Sequence, residues 1–249
     1  MLIRRRVSEI EVWTPAKLNL FLEVLHKRSD GFHELETLMC PIRLYDTLIF
    51  RGDEPGGSSA EGPLQFQAHW AWPGRSALPD HAIPVDPSNT AVRAVELLRQ
   101  TCGVERGAQV SLIKRIPAMA GMGGGSSDAA AALVAANLAW NTQQSPRQLM
   151  DLAAKIGSDV PFFLAGGWAM CRGRGEQIET LQGMPRLACV VVHPGLGLST
   201  AAVYRQCQPA LAASRPRVEA GQLLAALQQG NLQTIGRALH NRLQPAAEQ

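Results

Sequence analysis

Residues 117 to 128 read Pro-Ala-Met-Ala-Gly-Met-Gly-Gly-Gly-Ser-Ser-Asp, and an alanine-rich run follows at residues 129 to 136. Glycines let backbone N–H groups approach a ligand closely, and the start of a helix adds unpaired amides and a positive dipole end. The residues from Val110 to Ile116 are predicted to form a strand, which the proline ends. The two serines and the aspartate supply hydroxyls and a carboxylate at the predicted helix start. This order of strand, glycine loop and helix predicts a phosphate-binding site.

The two common phosphate loops do not fit this stretch. A Walker loop needs a lysine after the last glycine, and none is present. A dinucleotide loop needs a third glycine where this chain has Ser126. The order Pro-x-x-x-Gly-x-Gly-Gly-Gly-Ser-Ser before an alanine-rich helix instead resembles the nucleotide loop of the GHMP small-molecule kinases. The resemblance implies that ATP is the phosphoryl donor and that it acts together with Mg²⁺. The ATP-binding residues that it implies are Pro117, Ala118, Met119, Ala120, Gly121, Met122, Gly123, Gly124, Gly125, Ser126 and Ser127.

The composition narrows the class of protein. Of the 249 residues, 46% are apolar and 18% are charged, and no apolar run approaches the roughly 18–20 residues that span a bilayer. The five cysteines include no Cys-x-x-Cys pair, which argues against a zinc site or a disulfide framework and favours the cytoplasm. A net charge of +3 is too small to indicate a nucleic-acid partner. We expect a soluble monomer or homodimer that binds small molecules, without a nucleic-acid or membrane partner.

A second motif lies near the N-terminus. The residues from Val7 to Val24 alternate in hydrophobicity, which predicts a strand with Lys17 and Asn19 on one side. A lone lysine on a strand more often belongs to a solvated face. The segment Pro-Ala-Lys-Leu-Asn at residues 15 to 19 resembles the opening motif of one branch of the GHMP kinases. The resemblance implies that Lys17 is catalytic and that Asn19 binds the substrate hydroxyl.

A third motif is Arg-Ser-Asp-Gly-Phe-His at residues 28 to 33, where Ser-Asp-Gly predicts a turn. An aromatic ring can stack on a nucleobase and histidine can donate or accept a hydrogen bond, although such a pair is also common as packing. The motif resembles the segment with which the same branch holds a cytidine group. It implies that Phe32 and His33 bind the base, and Tyr204, which follows a Val-x-His-Pro-Gly segment, is the candidate for the second face of the base.

The fourth motif is Gly-Ser-Asp-Val-Pro-Phe-Phe at residues 157 to 163. An aspartate between a helix and a strand is often only a turn or cap residue. This segment, however, resembles the one that carries the catalytic aspartate of the same kinases, which implies that Asp159 is catalytic. The implied reaction transfers the γ-phosphoryl group of ATP to the 2-hydroxyl of a CDP-methylerythritol, in the non-mevalonate route to isoprenoids. Asp159 would accept or orient the hydroxyl proton while Lys17 neutralises the moving group.

The resemblance predicts an α+β, two-lobed GHMP kinase fold with a mixed sheet and helices in the N-terminal lobe. We expect an N-terminal nucleotide-binding domain at residues 1–170 and a smaller α/β domain at residues 171–249. The family's third glycine-rich motif is not in this sequence, so the second domain is expected to be incomplete. Three alternatives stay open: a GHMP kinase for another alcohol such as homoserine or mevalonate, a non-catalytic nucleotide-binding relative, and a dinucleotide-dependent oxidoreductase.

Local patterns predict several further elements. Capping residues and hydrophobic spacing predict a helix at residues 90–102, and a capping box at Ser145 opens a helix that ends at Gly157. Between residues 51 and 88, loops are expected around one or two edge strands. Alternation predicts a hairpin at residues 168–181, and the apolar run from Leu187 to His193 predicts a buried strand.

Overall fold

The computed structural model describes residues 1–53, 62–71, 83–195, 197–207 and 218–248, so much of the segment from 51 to 88 lies outside the described residues. The chain divides into two units. The first unit comprises Met1–Ala16, Ile42–Ala118 and Met122–Gly166. The second comprises Lys17–Pro41, Met119–Gly121 and Gly167–Gln249. The predicted division after residue 170 stays a prediction.

The strands of the first unit form antiparallel and parallel pairs. Strand β1 (Leu2–Arg5) pairs antiparallel with the start of β2 (Ile10–Lys27). The end of β3 (His33–Gly52) pairs antiparallel with β5 (Ala108–Lys114), which pairs in parallel with β4 (Leu64–Trp70). A parallel pair needs a crossover connection. Helix α1 (Thr90–Cys102) lies in that connection.

The first unit contains four helices among the described residues, and two of them start and end at predicted capping signals. Asn89 caps α1 by accepting a hydrogen bond from Ala91 N, and Gly103 ends the helix in the left-handed conformation. Helix α2 (Gly124–Trp140) is lined with buried alanines, whose small side chains allow close packing against α1. Helix α3 (Pro146–Ile156) starts with the predicted capping box. Helix α4 (Val160–Ala165) comes directly after it.

The second unit is built around the end of β2 and the start of β3. Strand β6 (Trp168–Gly173) pairs with residues 35–39 of β3 and with β7 (Gln177–Leu181), which confirms the predicted hairpin. Among the described residues, four helices and a short strand follow: α5 (Thr200–Gln206), α6 (Gly221–Gln229), α7 (Leu232–Ala238), β8 (His240–Asn241) and α8 (Gln244–Ala247). Strand β8 runs parallel to residues 21–22 of β2. The core of this unit is formed by Phe21, Leu38, Met170, Leu223, Leu227 and Ile235.

Three local predictions need correction. The segment from Leu187 to His193 is irregular, and Val190 and Val192 are 92% and 85% exposed. A strand needs a neighbour that accepts its hydrogen bonds, and no described strand pairs with this segment. Helix α2 begins at Gly124 with Gly123 as N-cap, so the two serines and Asp128 lie inside the helix instead of capping it. Asp159 is followed by a helix where a strand was expected.

The α+β class is confirmed. None of the helices in the described ranges has the length and the apolar character needed to cross a bilayer.

Candidate active site

The glycine loop leads directly into α2. Gly121 and Gly123 have φ values of 69° and 71°, in the left-handed region that a Cβ disfavours. The first intrahelical hydrogen bond runs from Ser127 N to Gly123 O, at 2.8 Å. The amides of residues 124 to 126 therefore have no acceptor within the helix, and Gly123 has no side chain with which to cap them. These three amides, at the positive end of a 17-residue helix, form an anion-binding geometry.

Strand β5 lies directly behind this helix start. A Cβ added at Gly124 would lie 3.1 Å from Ile116 Cγ2 and 3.1 Å from Lys114 Nζ. The hydroxyl of Thr90, the first residue of α1, donates a 2.7 Å hydrogen bond to Gly125 O. Glycine at residue 124 thus permits a close approach between strand and helix.

The hydroxyl of Ser127 faces the protein interior. Ser127 is fully buried and donates a 2.6 Å hydrogen bond from its hydroxyl to Pro15 O. The Thr14 hydroxyl donates to Ser127 O at 3.0 Å. These bonds attach α2 to the segment of β2 that immediately precedes Lys17. The predicted role of Ser127 in ATP binding stays a prediction, but this hydroxyl is already engaged by the fold.

Three buried charged groups lie next to the loop. Lys114 Nζ donates to Asp46 Oδ2 and, at 2.6 Å, to Asp128 Oδ2. Asp46 Oδ1 accepts hydrogen bonds from Arg115 N and, at 2.9 Å, from Ile116 N. These contacts fix the end of β5 against β3 and α2. We refer to Asp46, Lys114 and Asp128 as the buried charge cluster.

The cluster perturbs the ionisation of its members. Burial raises the pKa of Asp128 to about 7, with Lys114 opposing the shift and Asp46 adding to it. Burial disfavours the charge of Lys114, but Asp128 and Asp46 outweigh it and raise the pKa of the ammonium. Lys114 therefore stays positively charged at neutral pH.

Asp159 lies at the junction of α3 and α4 in the first unit. Gly157 ends α3, and Val160 N donates to Gly157 O at 3.2 Å, which forms the turn. Asp159 is half-buried and takes the N-cap position of α4, yet its side chain makes no capping hydrogen bond. The helix amides thus do not engage the carboxylate of Asp159.

Lys17 and Asn19 lie together on β2 in the second unit, as the strand periodicity predicts. Lys17 is 6% exposed, and its ammonium donates to Asn19 Oδ1 at 2.5 Å. Asn19 Nδ2 donates to the Thr37 hydroxyl at 2.8 Å, and that hydroxyl donates to Phe21 O at 2.6 Å. This chain of hydrogen bonds holds the ammonium of Lys17 in a defined position on the strand.

The Arg-Ser-Asp-Gly turn positions Phe32 and His33. Asp30 Oδ1 accepts from Phe32 N at 3.1 Å, and Arg28 N donates to Phe32 O at 2.8 Å. The Arg28 guanidinium bonds Asp30 and, at 2.6 Å, Glu34. The turn is therefore closed by both its backbone and its side chains.

The rings that follow the turn make two contacts. The His33 ring stacks on the Tyr204 ring, with 5.3 Å between centroids and 25° between planes. Phe32 is 54% exposed, and the Arg174 guanidinium carbon lies 4.7 Å from the centre of its ring. Burial and the nearby charge of Lys27 lower the pKa of His33. At neutral pH its neutral ring has one donor and one acceptor nitrogen.

The tip of the glycine loop contacts a second segment. Leu198 N donates to Met119 O at 3.0 Å, and a Cβ at Gly197 would lie 3.0 Å from Met119 Cβ. Met119 has a positive φ of 55°. The stretch before α5 thus supports the loop within the second unit.

The sequence motifs did not reveal several residues of the site. Thr14, Asp46, Lys114 and Arg174 belong to no recognised motif, and their partners are distant in sequence. Asp46 and Lys114, for example, are 68 residues apart. The clue available in the sequence was the presence of a lysine and an arginine in a predicted strand just before a glycine loop, where apolar residues are usual.

The chain is similar to the GHMP kinases in sequence and in fold. Residues 89–167 match the family model described as GHMP kinases N terminal domain, which covers α1, the glycine loop, α2 and the segment with Asp159. The structure is also similar to that of L. major mevalonate kinase in complex with R-mevalonate, at a TM-score of 0.69 over 99% of this chain and 78% of that one. At 18% identity, that likeness shows the fold alone.

Two further comparisons define the family. The chain is 45% identical over 230 residues to the 4-diphosphocytidyl-2-C-methyl-D-erythritol kinase of Pelotomaculum thermopropionicum, covering 92% of this chain and 74% of that protein. A crystal structure of 4-(cytidine 5'-diphospho)-2C-methyl-D-erythritol kinase matches at 35% identity and a TM-score of 0.69, over 95% of this chain and 76% of the other. The chain belongs to the family of 4-diphosphocytidyl-2-C-methyl-D-erythritol kinases, within the GHMP kinases.

Proposed function

We propose that this chain transfers the γ-phosphoryl group of ATP to the 2-hydroxyl of 4-diphosphocytidyl-2-C-methyl-D-erythritol. The observation that carries this proposal is the glycine loop, which delivers three unpaired amides to the start of α2. The family membership supplies the identity of the alcohol. Phosphoryl transfer requires mainly positioning and charge neutralisation, and the residues assigned below offer groups for each.

The nucleotide end of the site is the glycine loop. The amides at the start of α2 would hold phosphate oxygens, aided by the helix dipole. ATP usually enters such a site with Mg²⁺ bound to its phosphates, and the ion would neutralise charge that develops there. The described residues contain no cluster of three or more His, Cys, Asp or Glu side chains that could hold a metal by themselves. A metal carried by the nucleotide fits this arrangement.

The reacting end of the site is assigned to Asp159 and Lys17. Asp159, which is half-buried at the junction of α3 and α4, would accept or orient the proton of the substrate hydroxyl. Lys17 would neutralise the transferring phosphoryl group. Asn19 holds the ammonium of Lys17 through its side-chain oxygen, so its role includes orienting that lysine as well as contacting the substrate.

The cytidine end of the site is assigned to Phe32 and His33. The exposed Phe32 ring offers a face for stacking, and a neutral His33 can both donate to and accept from the polar edge of cytosine. Tyr204 was predicted to cover the second face of the base. Since its ring already lies against His33, we propose that it supports the histidine ring.

The test is a coupled ADP-release assay on the 249-residue chain with Mg-ATP, with and without 4-diphosphocytidyl-2-C-methyl-D-erythritol. We expect ADP release that depends on the alcohol. Asp159→Asn should lower kcat by at least about a hundredfold, the lower range for loss of a general base, while leaving ATP affinity roughly unchanged.

The matched control is Asp151→Asn, which changes an exposed aspartate on α3 of the same unit. It should retain the activity of the unaltered chain. An equal rate of ADP release with and without the alcohol would refute the proposed substrate. If Asp159→Asn weakened ATP binding as much as turnover, the role of Asp159 in proton transfer would be wrong.

A further inference from the structure

The buried charge cluster lies immediately behind the anion-binding end of α2. Lys114 Nζ is 3.1 Å from the position of a Cβ on Gly124, the first residue of the helix. Asp128 is on the same helix, four residues further along. The cluster is thus separated from the loop amides by a single helical turn. Charge in the cluster acts on the site where the phosphates of ATP are proposed to bind.

The cluster contains more carboxylates than cations. Asp46, Lys114 and Asp128 are 0%, 6% and 3% exposed, so water screens them little. Two carboxylates that share one ammonium in such a place cannot both ionise without leaving a net buried negative charge. Asp46 accepts hydrogen bonds from the ammonium and from two backbone N–H donors. Asp128 accepts from the ammonium through Oδ2, and among the described residues its Oδ1 has no donor, so Asp128 is the carboxyl on which the surplus negative charge is less well compensated.

Asp128 is the carboxyl with incomplete hydrogen bonding. In the part of the chain that the structure describes, no donor or acceptor reaches its Oδ1 atom, although that atom is buried. A buried carboxylate oxygen without a donor is costly, whereas a protonated oxygen carries no charge to compensate. Burial and Asp46 raise the pKa of this group to about 7, against the opposing effect of Lys114. The missing hydrogen-bond partner of Oδ1 and the raised pKa therefore both favour the protonated form of Asp128.

We propose that Lys114 and Asp128 are positioning residues for the phosphate-binding loop, and that Asp128 carries a proton whenever the loop holds the phosphates of ATP. This inference rests on the proposed function of the loop. Protonation of Asp128 removes one negative charge from the cluster. Ionised Asp128 adds a negative charge one helical turn behind the phosphates, which repels them.

The other charged side chains on the helices around α2 are in contact with water. Helices α1 and α3 pack against α2, and α4 carries no charged residue between Val160 and Ala165. Their charged side chains are exposed or half-exposed, and water screens them. They are Arg93, Glu96 and Arg99 on α1, and Arg147, Asp151 and Lys155 on α3. The ionisation of Asp128 is thus governed by its burial, with Lys114 opposing the rise in its pKa and Asp46 adding to it.

The consequence is coupling between nucleotide and proton. Because linkage is reciprocal, a nucleotide that binds the protonated form more tightly must itself favour protonation. At pH 8 only about a tenth of Asp128 is protonated in the free protein, so binding would take up a large fraction of one proton. The apparent Kd should weaken at least about tenfold between pH 7 and pH 9.

The experiment is calorimetric titration with a non-hydrolysable Mg-ATP analogue at pH 8, in two buffers of different ionisation enthalpy. The difference in heat gives the number of protons taken up. Asp128→Asn keeps the size of the side chain and removes the titrating group, and Asp151→Asn is the control. Any proton exchange by the nucleotide itself is common to all three proteins and cancels in the comparison.

We expect the unaltered chain and Asp151→Asn to take up more protons than Asp128→Asn, and the pH dependence of Kd to flatten in Asp128→Asn. Equal proton uptake in all three proteins would overturn the inference while leaving nucleotide binding intact. Absence of nucleotide binding by the unaltered chain would overturn the proposed function and this inference together. If Asp128→Asn does not fold, the pH profile of Kd for the unaltered chain decides, because a flat profile contradicts the coupling.

Discussion

Glu23 joins the C-terminal part of the second unit to β2, and its replacement by glutamine should destabilise that unit. Glu23 is 2% exposed and lies in the C-terminal part of β2. Its carboxylate accepts from Arg242 Nε at 2.6 Å and Arg242 Nη2 at 2.7 Å, and contacts His240 Nε2 at 3.1 Å. Val218 N donates to it at 3.3 Å. The Glu23 carboxylate thus connects β2 to His240 in β8, to Arg242 directly after β8, and to the backbone of Val218.

The expected loss in the free energy of unfolding follows from the burial of this ion pair. Removing one partner of a buried ion pair costs about 3–5 kcal/mol, because the other charge is left uncompensated. Glutamine keeps one acceptor oxygen, so we expect Glu23→Gln to lower the free energy of unfolding by about 2–4 kcal/mol. For a chain of this size, 3 kcal/mol corresponds to a fall in Tm of roughly 6–12 °C.

The effect should also depend on pH. Burial opposes ionisation of Glu23, but the hydrogen bonds from Arg242 and Val218 and the charge of Arg242 outweigh it and hold the pKa below its ordinary value of 4.5. A group with a lowered pKa in the folded state stabilises the protein above its unfolded pKa, and that stability is lost as the pH falls through the folded value. The difference between the unaltered chain and Glu23→Gln should therefore be full at pH 7 and shrink below about pH 4.5.

Urea unfolding at pH 7 and at pH 4, followed by circular dichroism, measures this difference. Glu179→Gln is the control, because Glu179 bonds Arg172 at 2.9 Å with both side chains largely in water, and such pairs contribute less than about 1 kcal/mol. A loss below about 1 kcal/mol in Glu23→Gln, or a loss that does not change with pH, would refute this account of the buried pair.

Two further predictions concern other buried groups. Ser127→Ala removes the hydroxyl that donates to a buried carbonyl, and should lower the free energy of unfolding by about 1–3 kcal/mol in a urea titration; an unchanged midpoint would contradict the packing of α2 on β2. Burial and the nearby Cys189 thiol raise the pKa of Cys40 to about 11, so the exposed Cys189 should react first with iodoacetamide at pH 8. Peptide mass spectrometry measures the order, and earlier labelling of Cys40 would show that its burial is wrong.

The elements whose ends are fixed locally could be read from the sequence. Helix α3 starts with a capping box formed by Ser145 and Gln148, and α1 starts at the capping residue Asn89, so both were predicted within the correct bounds. The edge strand at residues 64–70 also follows its period of two. These signals involve residues within a few positions of one another.

Predictions that depend on distant partners were less secure. The valines at residues 190 to 192 have the composition of a buried strand, but burial requires a neighbouring element, and the described residues offer none. The helix start was placed late because serines and an aspartate are typical caps, whereas here tertiary packing moves the start to Gly124. Local propensity is overridden wherever packing supplies the larger free energy.

The sequence by itself determined the family of this protein and predicted the residues of its site: four motifs with amides, a lysine, an aspartate and two aromatic side chains, in the order of one kinase family. Only the tertiary structure decided which groups support them. It places Lys114 and Asp46 behind the glycine loop, although they are 68 residues apart, and Arg242 on Glu23 across 219 residues. The physical reason is that motifs require local spacing, whereas a buried charge requires a partner that only folding brings within hydrogen-bonding distance.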